Sequence, residues 1–224
     1  MMISPEIYYE FYLKNKTAEE ILSTIRGLKN EIGRLKNITE HPEYVCTMHP
    51  SEKVRISCNR KYLERAKQAL ADLGVEYHPS KAELKAAEFN ENIPNISKIT
   101  LSIGGYFYGV DVYEIVVGET HVDFNSAHSD ASTTLDNLEF RDDCDKAEFF
   151  EAFRRLHIGE WRKNYNTRRF GYGVCDGTQW SLEIHYSNGI KPVKIYGDNA
   201  YPYNFDNLEE LMGCYDSEED DEDE

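Results

Sequence analysis

Two copies of a His-x-Asp pattern, His121-Val-Asp123 and His128-Ser-Asp130, carry the residue types best suited to chemistry in this chain. An imidazole beside a carboxylate can bind a metal ion, or act as a base whose ring the carboxylate orients. The pattern therefore predicts a metal-dependent hydrolase, with His121, Asp123 and His128 as metal ligands, as one alternative function. The other interpretation is a solvated strand face, because His121 and Asp123 alternate with apolar residues.

Glu183 and His185 form another polar pair on a second predicted strand. They would meet His121 and Asp123 if the two strands were neighbours, but the sequence does not determine the strand order. Convergence of these four side chains in a pocket would favour an enzyme.

Four thiol and imidazole side chains lie close together in the first half of the chain: His41, Cys46, His49 and Cys58. Structural zinc sites use these ligand types but usually join two closely spaced pairs. Only Cys46 and His49 are spaced in that way. We therefore expect ordinary core and loop residues here, with a zinc site as the alternative.

The segment 154–172 is basic although the half of the chain around it is acidic. Arginines beside aromatic rings can pair with phosphates and stack on bases, so the segment predicts single-stranded nucleic acid as one partner. The alternative is a solvated helix end and loop, since cations are favourable near a helix C-terminus. The candidate binding residues are Arg154, Arg155, Trp161, Arg162, Lys163, Arg168 and Arg169.

Residues 1–92 are predicted to form a helix-rich α+β module. Ser4-Pro5 and Thr17-Ala-Glu-Glu20 are helix N-terminal patterns. The helix that follows Thr17 has a narrow apolar stripe, expected to pack on a helix at 7–13 or, alternatively, in a short homodimeric coiled coil. Alternating apolar residues predict short strands at 54–58 and 75–77, with Asn59 capping the helix between them. The stripe consists of Ile21, Ile25, Leu28, Ile32 and Leu35.

From residue 97 the apolar period changes from helical to alternating, which predicts a second α+β domain over 97–213. We expect an antiparallel sheet of about five strands with helices on one face. Asp145 should cap a Phe-rich helix, Trp180 should lie on the buried side of a strand, and Asn204 should cap the last helix. The Asn188-Gly189 pair predicts a type I′ hairpin turn. The seam between the two domains is placed at 90–96.

The net charge of −16 is unevenly distributed. Residues 1–96 are neutral, with 14 acids and 14 bases, while residues 97–215 carry 19 acids and 11 bases. The last nine residues contain eight acids. Such a segment cannot bury enough apolar surface to offset the entropy of ordering, so we expect 214–224 to be a disordered acidic tail. The tail can serve solubility or fold back on the basic segment.

The chain has neither a stretch apolar enough to span a membrane nor a signal-peptide pattern, which predicts a cytoplasmic protein without membrane contact. Its five cysteines are scattered without a C-x-x-C pair, as expected of reduced thiols. No glycine-rich phosphate loop, nucleophile elbow or HExxH motif occurs, so we expect no cofactor. Whether the protein is an enzyme stays open, with a non-enzyme favoured.

Asp176-Gly-Thr-Gln-Trp180 and Gly197-Asp-Asn-Ala-Tyr-Pro202 are the most specific motifs of the second half. Together with the run Ile99-Thr-Leu-Ser-Ile-Gly-Gly105 and Trp161, they resemble a domain that recurs in uncharacterised bacterial proteins. The resemblance covers about half of the chain. It implies a bacterial, cytoplasmic protein and brings no functional residues with it.

By elimination, the sequence favours a non-enzymatic bacterial binding or regulatory protein that acts through protein–protein contacts. The acidic charge predicts an alternative, an inhibitor that mimics nucleic acid and occupies a nuclease or another defence enzyme. The oligomeric state and the partner do not follow from the sequence.

Overall fold

The computed structural model describes residues 3–46, 49–105, 109–129, 139–174 and 176–214, with the backbone alone described at 139–142. These residues form two compact units, Met1–Ser80 and Lys81–Glu224. Residues 106–108, Asp130, Cys175 and residues 215–224 of the proposed acidic tail lie outside the described residues, whereas Cys214, the first residue of the proposed tail, is described and partly buried. No helix among the described residues is both long and apolar enough to cross a membrane.

The first unit is helical. A short helix α1 (Pro5–Tyr8) runs into a π-helical turn (Tyr9–Leu13), and two long helices follow, α2 (Ala18–Thr39) and α3 (Glu52–Asp72). Thr17 forms the predicted capping box, in which its hydroxyl accepts from the Glu20 amide while the Glu20 carboxylate accepts from the Thr17 amide. The hydrogen bonds from Lys16 and from the Thr17 amide lower the pKa of Glu20 to about 2.

The predicted apolar stripe of α2 is confirmed, since all five of its members are buried. Its main partner is α3 rather than the 7–13 segment, from which Leu13 is the only buried residue. Tyr62, Ala66 and Leu70 of α3 lie in the same core. The stripe is therefore used within the unit, as expected for a short amphipathic helix.

The predicted strands at 54–58 and 75–77 are wrong. Helix α3 already begins at Glu52, where the Ser51 hydroxyl accepts from the Val54 amide, so Asn59 lies inside the helix. Ile56 is 1% exposed whereas Val54 is 42% exposed. In the helix Val54 and Ile56 lie on different faces, so their alternation is incidental, and a run of three apolar residues is too short to predict a strand.

The second unit begins with α4 (Lys81–Asn92), which the sequence had placed in the first module. Phe89 of α4 lies in the core of the second unit, and Gly159 packs so closely against α4 that a Cβ there would stand 2.9 Å from the Phe89 Cβ. A 3-10 turn (Ile93–Asn95) then leads into the sheet. The chain changes units before α4 rather than at the polar, proline-bearing stretch after it.

Seven strands form one mixed sheet in the order β4-β3-β2-β1-β6-β7-β5. Their bounds are β1 (Ile96–Gly105), β2 (Gly109–Val117), β3 (His121–Ser129), β4 (Glu139–Asp145), β5 (Asn164–Asn166), β6 (Thr178–Tyr186) and β7 (Val193–Asp198). All neighbouring strands are antiparallel except β5, which is parallel to β7. The α+β class is confirmed, but the expected five-stranded antiparallel sheet is wrong. The missed strands are the charged β4 and the three-residue β5, which lack an apolar alternation long enough to detect.

The two faces of the sheet differ in polarity, because successive side chains of a strand point to opposite faces. One face, called here the core face, carries Ile99, Leu101 and Ile184 and packs under α5 (Lys146–Arg155) and α6 (Phe205–Met212). The opposite face, called here the polar face, carries mainly polar residues such as Thr100 and Ser181.

Trp180 and Phe153 lie in the same hydrophobic core, at 3% and 1% exposure. The prediction that helices, including the Phe-rich helix, pack on one face of the sheet is therefore confirmed. Asp145 caps that helix by accepting from the amides of Ala147 and Glu148. Burying a phenylalanine side chain stabilises the fold by about 1.5–3 kcal/mol, so the three phenylalanines of α5 anchor it firmly.

The connection between β6 and β7 is not the predicted type I′ turn. Gly189 has a φ of 79°, but Asn188 is not among the residues with positive φ. The Asn188 carboxamide instead accepts from the Ile190 amide, which closes a side-chain turn within a longer loop. Local hydrogen bonding by asparagine thus replaced the left-handed conformation that a two-residue turn requires.

Candidate functional site

The candidate metal ligands do not come together. His121 and Asp123 lie on the polar face, with 3.5 Å between Nε2 and Oδ1, whereas His128 lies on the core-face side of β3. The His128 ring pairs instead with Asp111 of β2, 2.6 Å away. His128 belongs to β3 and not to a loop. Because successive side chains of a strand point to opposite faces, His128 lies on the other face of β3 from His121 and Asp123.

Glu183 and His185 are paired with each other on β6, at 3.4 Å. Strands β2 and β1 separate β6 from β3, which corresponds to about 14 Å at the usual strand spacing. The four side chains therefore form no common pocket. Among the described residues, no group of three His, Cys, Asp or Glu side chains could hold a metal ion, and this includes His41, Cys46, His49 and Cys58.

The basic segment loses much of its aromatic surface to the core. Trp161 is 5% exposed and Tyr165 is 4% exposed, with the Tyr165 ring 5.8 Å from that of Trp180. Trp161 is thus a core residue rather than a stacking platform. Arg154 pairs with Glu151 of the same helix at 2.6 Å.

The other bases of the segment are exposed, and nucleic-acid binding by them stays a prediction. They are Arg155, Arg162, Lys163, Arg168 and Arg169. Arg168 differs from the rest because it lines a cleft.

This cleft, about 890 Å³ in volume, opens on the polar face of the sheet. Its floor consists of two rows of residues that cross the strands. One row is Gly104, Gln179, Asp198 and Asn166, and the other is Ser102, Ser181, Tyr196 and Asn164. The chain between β5 and β6 forms a wall with Arg168, Val174 and Asp176.

The two specific motifs of the sequence meet at one end of the cleft. Asn199 has a left-handed φ of 52°, and its amide donates to the Thr178 carbonyl while its side-chain oxygen accepts from the Thr178 amide. A Cβ on Gly177 would stand 1.8 Å from that oxygen. The two motifs also form a hydrogen bond on the core face of the sheet, where the Trp180 indole N–H donates to the Ala200 carbonyl at 3.0 Å.

The first role of these two motifs is therefore structural. They fix the ends of β6 and β7 against each other and seat Trp180, so that the residues between them reach the cleft floor in a defined register. Trp180 packs on Phe205 and Tyr201, and this burial raises the pKa of Tyr201.

Several polar side chains in the cleft pair with no other side chain in the described part of the protein. Within the part of the chain that the structure describes, no side-chain hydrogen bond joins Asn164, Asn166, Arg168, Asp176 or Gln179 to another described residue. Groups left to water in this way can exchange it for a ligand. Beside the cleft, in contrast, two polar side chains are paired. Lys194 donates to Glu183 at 2.6 Å and thereby lowers the pKa of that carboxyl.

Sequence reasoning did not single out Asn164, Asn166, Gln179 or Tyr196. A signal existed for the first three, since Asn164 and Asn166 flank buried Tyr165, and Gln179 precedes buried Trp180. Alternation therefore places them on the opposite face from the core. What the sequence could not supply is the parallel pairing of β5 with β7, which brings them together.

The fold and site define a mixed-sheet α+β protein with a polar surface cleft. Comparisons with protein-family models, with curated protein sequences and with solved structures found no match to this chain. The resemblance to a bacterial domain stays a prediction.

Proposed function

We propose that this protein is a non-enzymatic binding protein and that the cleft on the polar face of its second unit recognises the partner. The observation that carries the proposal is the set of polar side chains along the cleft that form no side-chain hydrogen bond with another described residue. Asn164, Asn166 and Gln179 each present an amide that can both donate and accept. Polar groups held on strands are positioned more rigidly than groups on a loop, which favours recognition.

The described lining of the cleft lacks the residue combinations that catalysis uses. Ser102 and Ser181 line it, but no histidine or lysine stands among the described lining residues to activate a hydroxyl. Asp176 and Asp198 are both exposed, so no described lining residue is the buried carboxyl that acid catalysis of glycoside hydrolysis requires. The hydrolase alternative has no metal site among the described residues to support it.

The sequence-based expectation of a protein partner stays a prediction, and so does the alternative of an inhibitor that mimics nucleic acid. Half of the charge excess behind that alternative lies in the last nine residues. The described lining residues of the cleft include one base, Arg168, and two acids, Asp176 and Asp198, which together carry a charge of −1. They therefore contribute little to an imitation of phosphate.

Site-specific photo-crosslinking tests the proposal. A benzophenone amino acid is placed at Gln179 in the cleft or, as a matched control, at Asn125, which lies on the polar face of β3 outside the cleft. We expect a discrete mass adduct, formed in the cells that produce the protein, from position 179 and not from position 125. Equal adducts from both positions, or none from position 179, would contradict the assignment of the cleft.

A further inference from the structure

We propose that the ligand of the cleft is a neutral, hydroxyl-rich chain, a carbohydrate. This inference rests on the proposed binding function of the same cleft and names the class of its ligand. Three properties of the lining support it: its charge, its hydrogen-bonding groups and the shape of its floor.

The charge disfavours anionic ligands. Arg168 is the only cation among the described lining residues, whereas two acids, Asp176 and Asp198, line the same cleft. Binding of phosphate groups depends on an excess of cations or on clustered backbone amides. A net charge of −1 with an extended floor offers neither, so phosphorylated ligands and nucleic acids fit poorly.

The hydrogen-bonding groups match hydroxyls. Each sugar hydroxyl both donates and accepts, and the carboxamides of Asn164, Asn166 and Gln179 offer both functions in one plane. Arg168 adds donors and Asp198 adds an acceptor. The Asp198 carboxylate is held in place by a hydrogen bond from the Asn199 side chain at 2.7 Å. The groups therefore suit a ligand with many hydroxyls along its length.

The shape of the floor suits a chain of pyranose rings. Ser102, Gly104 and Ser181 keep the floor low over β1 and β6, because their side chains are small or absent. Tyr196 stands in the same floor at 46% exposure, and its ring offers an apolar face with a polar tip. An aromatic face of this kind packs on the C–H face of a sugar ring. From β1 to β5 the floor crosses four strands, or about 14 Å between the outer ones.

A peptide is the less suitable occupant. Peptide recognition concentrates its energy in buried apolar anchors that fill pockets. The described lining supplies two aliphatic side chains, Val110 and Val174, which are 38% and 41% exposed. Neither forms a closed apolar pocket.

Amide NMR titration of the full chain tests the inference. The probes are maltohexaose, cellohexaose and the hexamer of N-acetylglucosamine at millimolar concentration, with a mixed-sequence hexapeptide pool and inorganic phosphate as comparison ligands. We expect at least one oligosaccharide to shift the side-chain amide signals of Asn164, Asn166 and Gln179 while the Asn125 signals stay in place. Loss of one hydrogen bond should weaken binding about threefold to tenfold in Gln179→Ala, and Tyr196→Ala should weaken it at least as much. Asn125→Ala should bind like the unchanged protein.

The outcomes separate this inference from the proposed function. Shifts at the cleft with the peptide pool or with phosphate, but with none of the oligosaccharides, would overturn the carbohydrate class and leave a binding protein. Cleavage of a bound oligosaccharide, followed by chromatography, would overturn the non-enzymatic function and leave the ligand class. Oligosaccharide binding that is unaffected by Gln179→Ala and Tyr196→Ala, or no oligosaccharide binding at all, would overturn the inference.

Discussion

Replacing Gly197 with alanine should destabilise the second unit strongly, because Gly197 stands directly over the Trp180 indole. A Cβ at this position would lie 1.8 Å from the indole Nε1 and 2.1 Å from Cε2. The ring must move, yet it is 3% exposed and enclosed by Tyr165, Tyr201 and Phe205.

The cost has two parts. Overpacking of a close-packed core costs about 1–3 kcal/mol. Displacing the indole also breaks its hydrogen bond to the Ala200 carbonyl, and an unsatisfied buried donor costs about 1–3 kcal/mol. Alanine recovers a little through its smaller loss of backbone entropy. We therefore expect Gly197→Ala to lower the free energy of unfolding by about 2–5 kcal/mol.

Tryptophan fluorescence during urea unfolding measures this loss in the right unit, since both tryptophans of the chain, Trp161 and Trp180, belong to the second unit. Gly173→Ala is the matched control, because a Cβ there meets nothing within 4 Å and its φ is not left-handed. The reasoning is refuted if the two variants unfold at the same urea concentration. Trp180→Leu removes the atoms that clash, so adding Gly197→Ala to it should cost much less than adding Gly197→Ala to the unchanged protein.

Three further outcomes follow from local features. Gly27→Ala in the exposed middle of α2 should stabilise the first unit by about 0.5–1 kcal/mol in circular-dichroism melts, and a loss would contradict the absence of any close neighbour there. Thr17→Ala should cost about 1 kcal/mol through the lost cap, and unchanged stability would mean that the box contributes nothing. Burial raises the pKa of Tyr186 from 10.0 to about 12, so its contribution to stability is complete below pH 10 and is lost as the pH rises through 12. Tyr186→Phe should remove this alkaline loss and one late-titrating phenol from the tyrosinate absorbance, and identical titrations would refute the shift.

The sequence predicts those parts of the fold that depend on a single local signal. The α2 stripe, the Asp145 cap and the burial of Trp180 depend on spacing and on side-chain capping, both of which are local. The failures share a cause. The alternation of Val54 and Ile56 is too short to exclude a helix, and the alternation within β5 is too short, at three residues, to predict a strand. Only tertiary contacts select between such alternatives.

The cleft could not be predicted from the sequence in the same way, although several of its residues could have been recognised as facing away from the core. Tyr165 and Trp180 indicate which side chains face away from the core, but not that β5 lies parallel to β7 and completes a common floor. That pairing joins residues of distant segments, and it depends on a crossover rather than a hairpin. The His-x-Asp pattern had the stronger chemical signature, yet His128 lies on the opposite face of β3 from His121 and Asp123.

Alternation also makes stability and binding separable in this molecule. Gln179 and Trp180 are neighbours on β6 but point to opposite faces, and so do Asp198 and Gly197 on β7. A change at Gln179 therefore touches the cleft and leaves the indole in place, whereas a change at Gly197 acts on the indole first. If the cleft is the binding surface, Gln179→Ala should lose oligosaccharide affinity and unfold at the urea concentration of the unchanged protein. A Gln179→Ala variant that lost both equally would show that the polar face supports the core, and the binding assignment would then lack its main support.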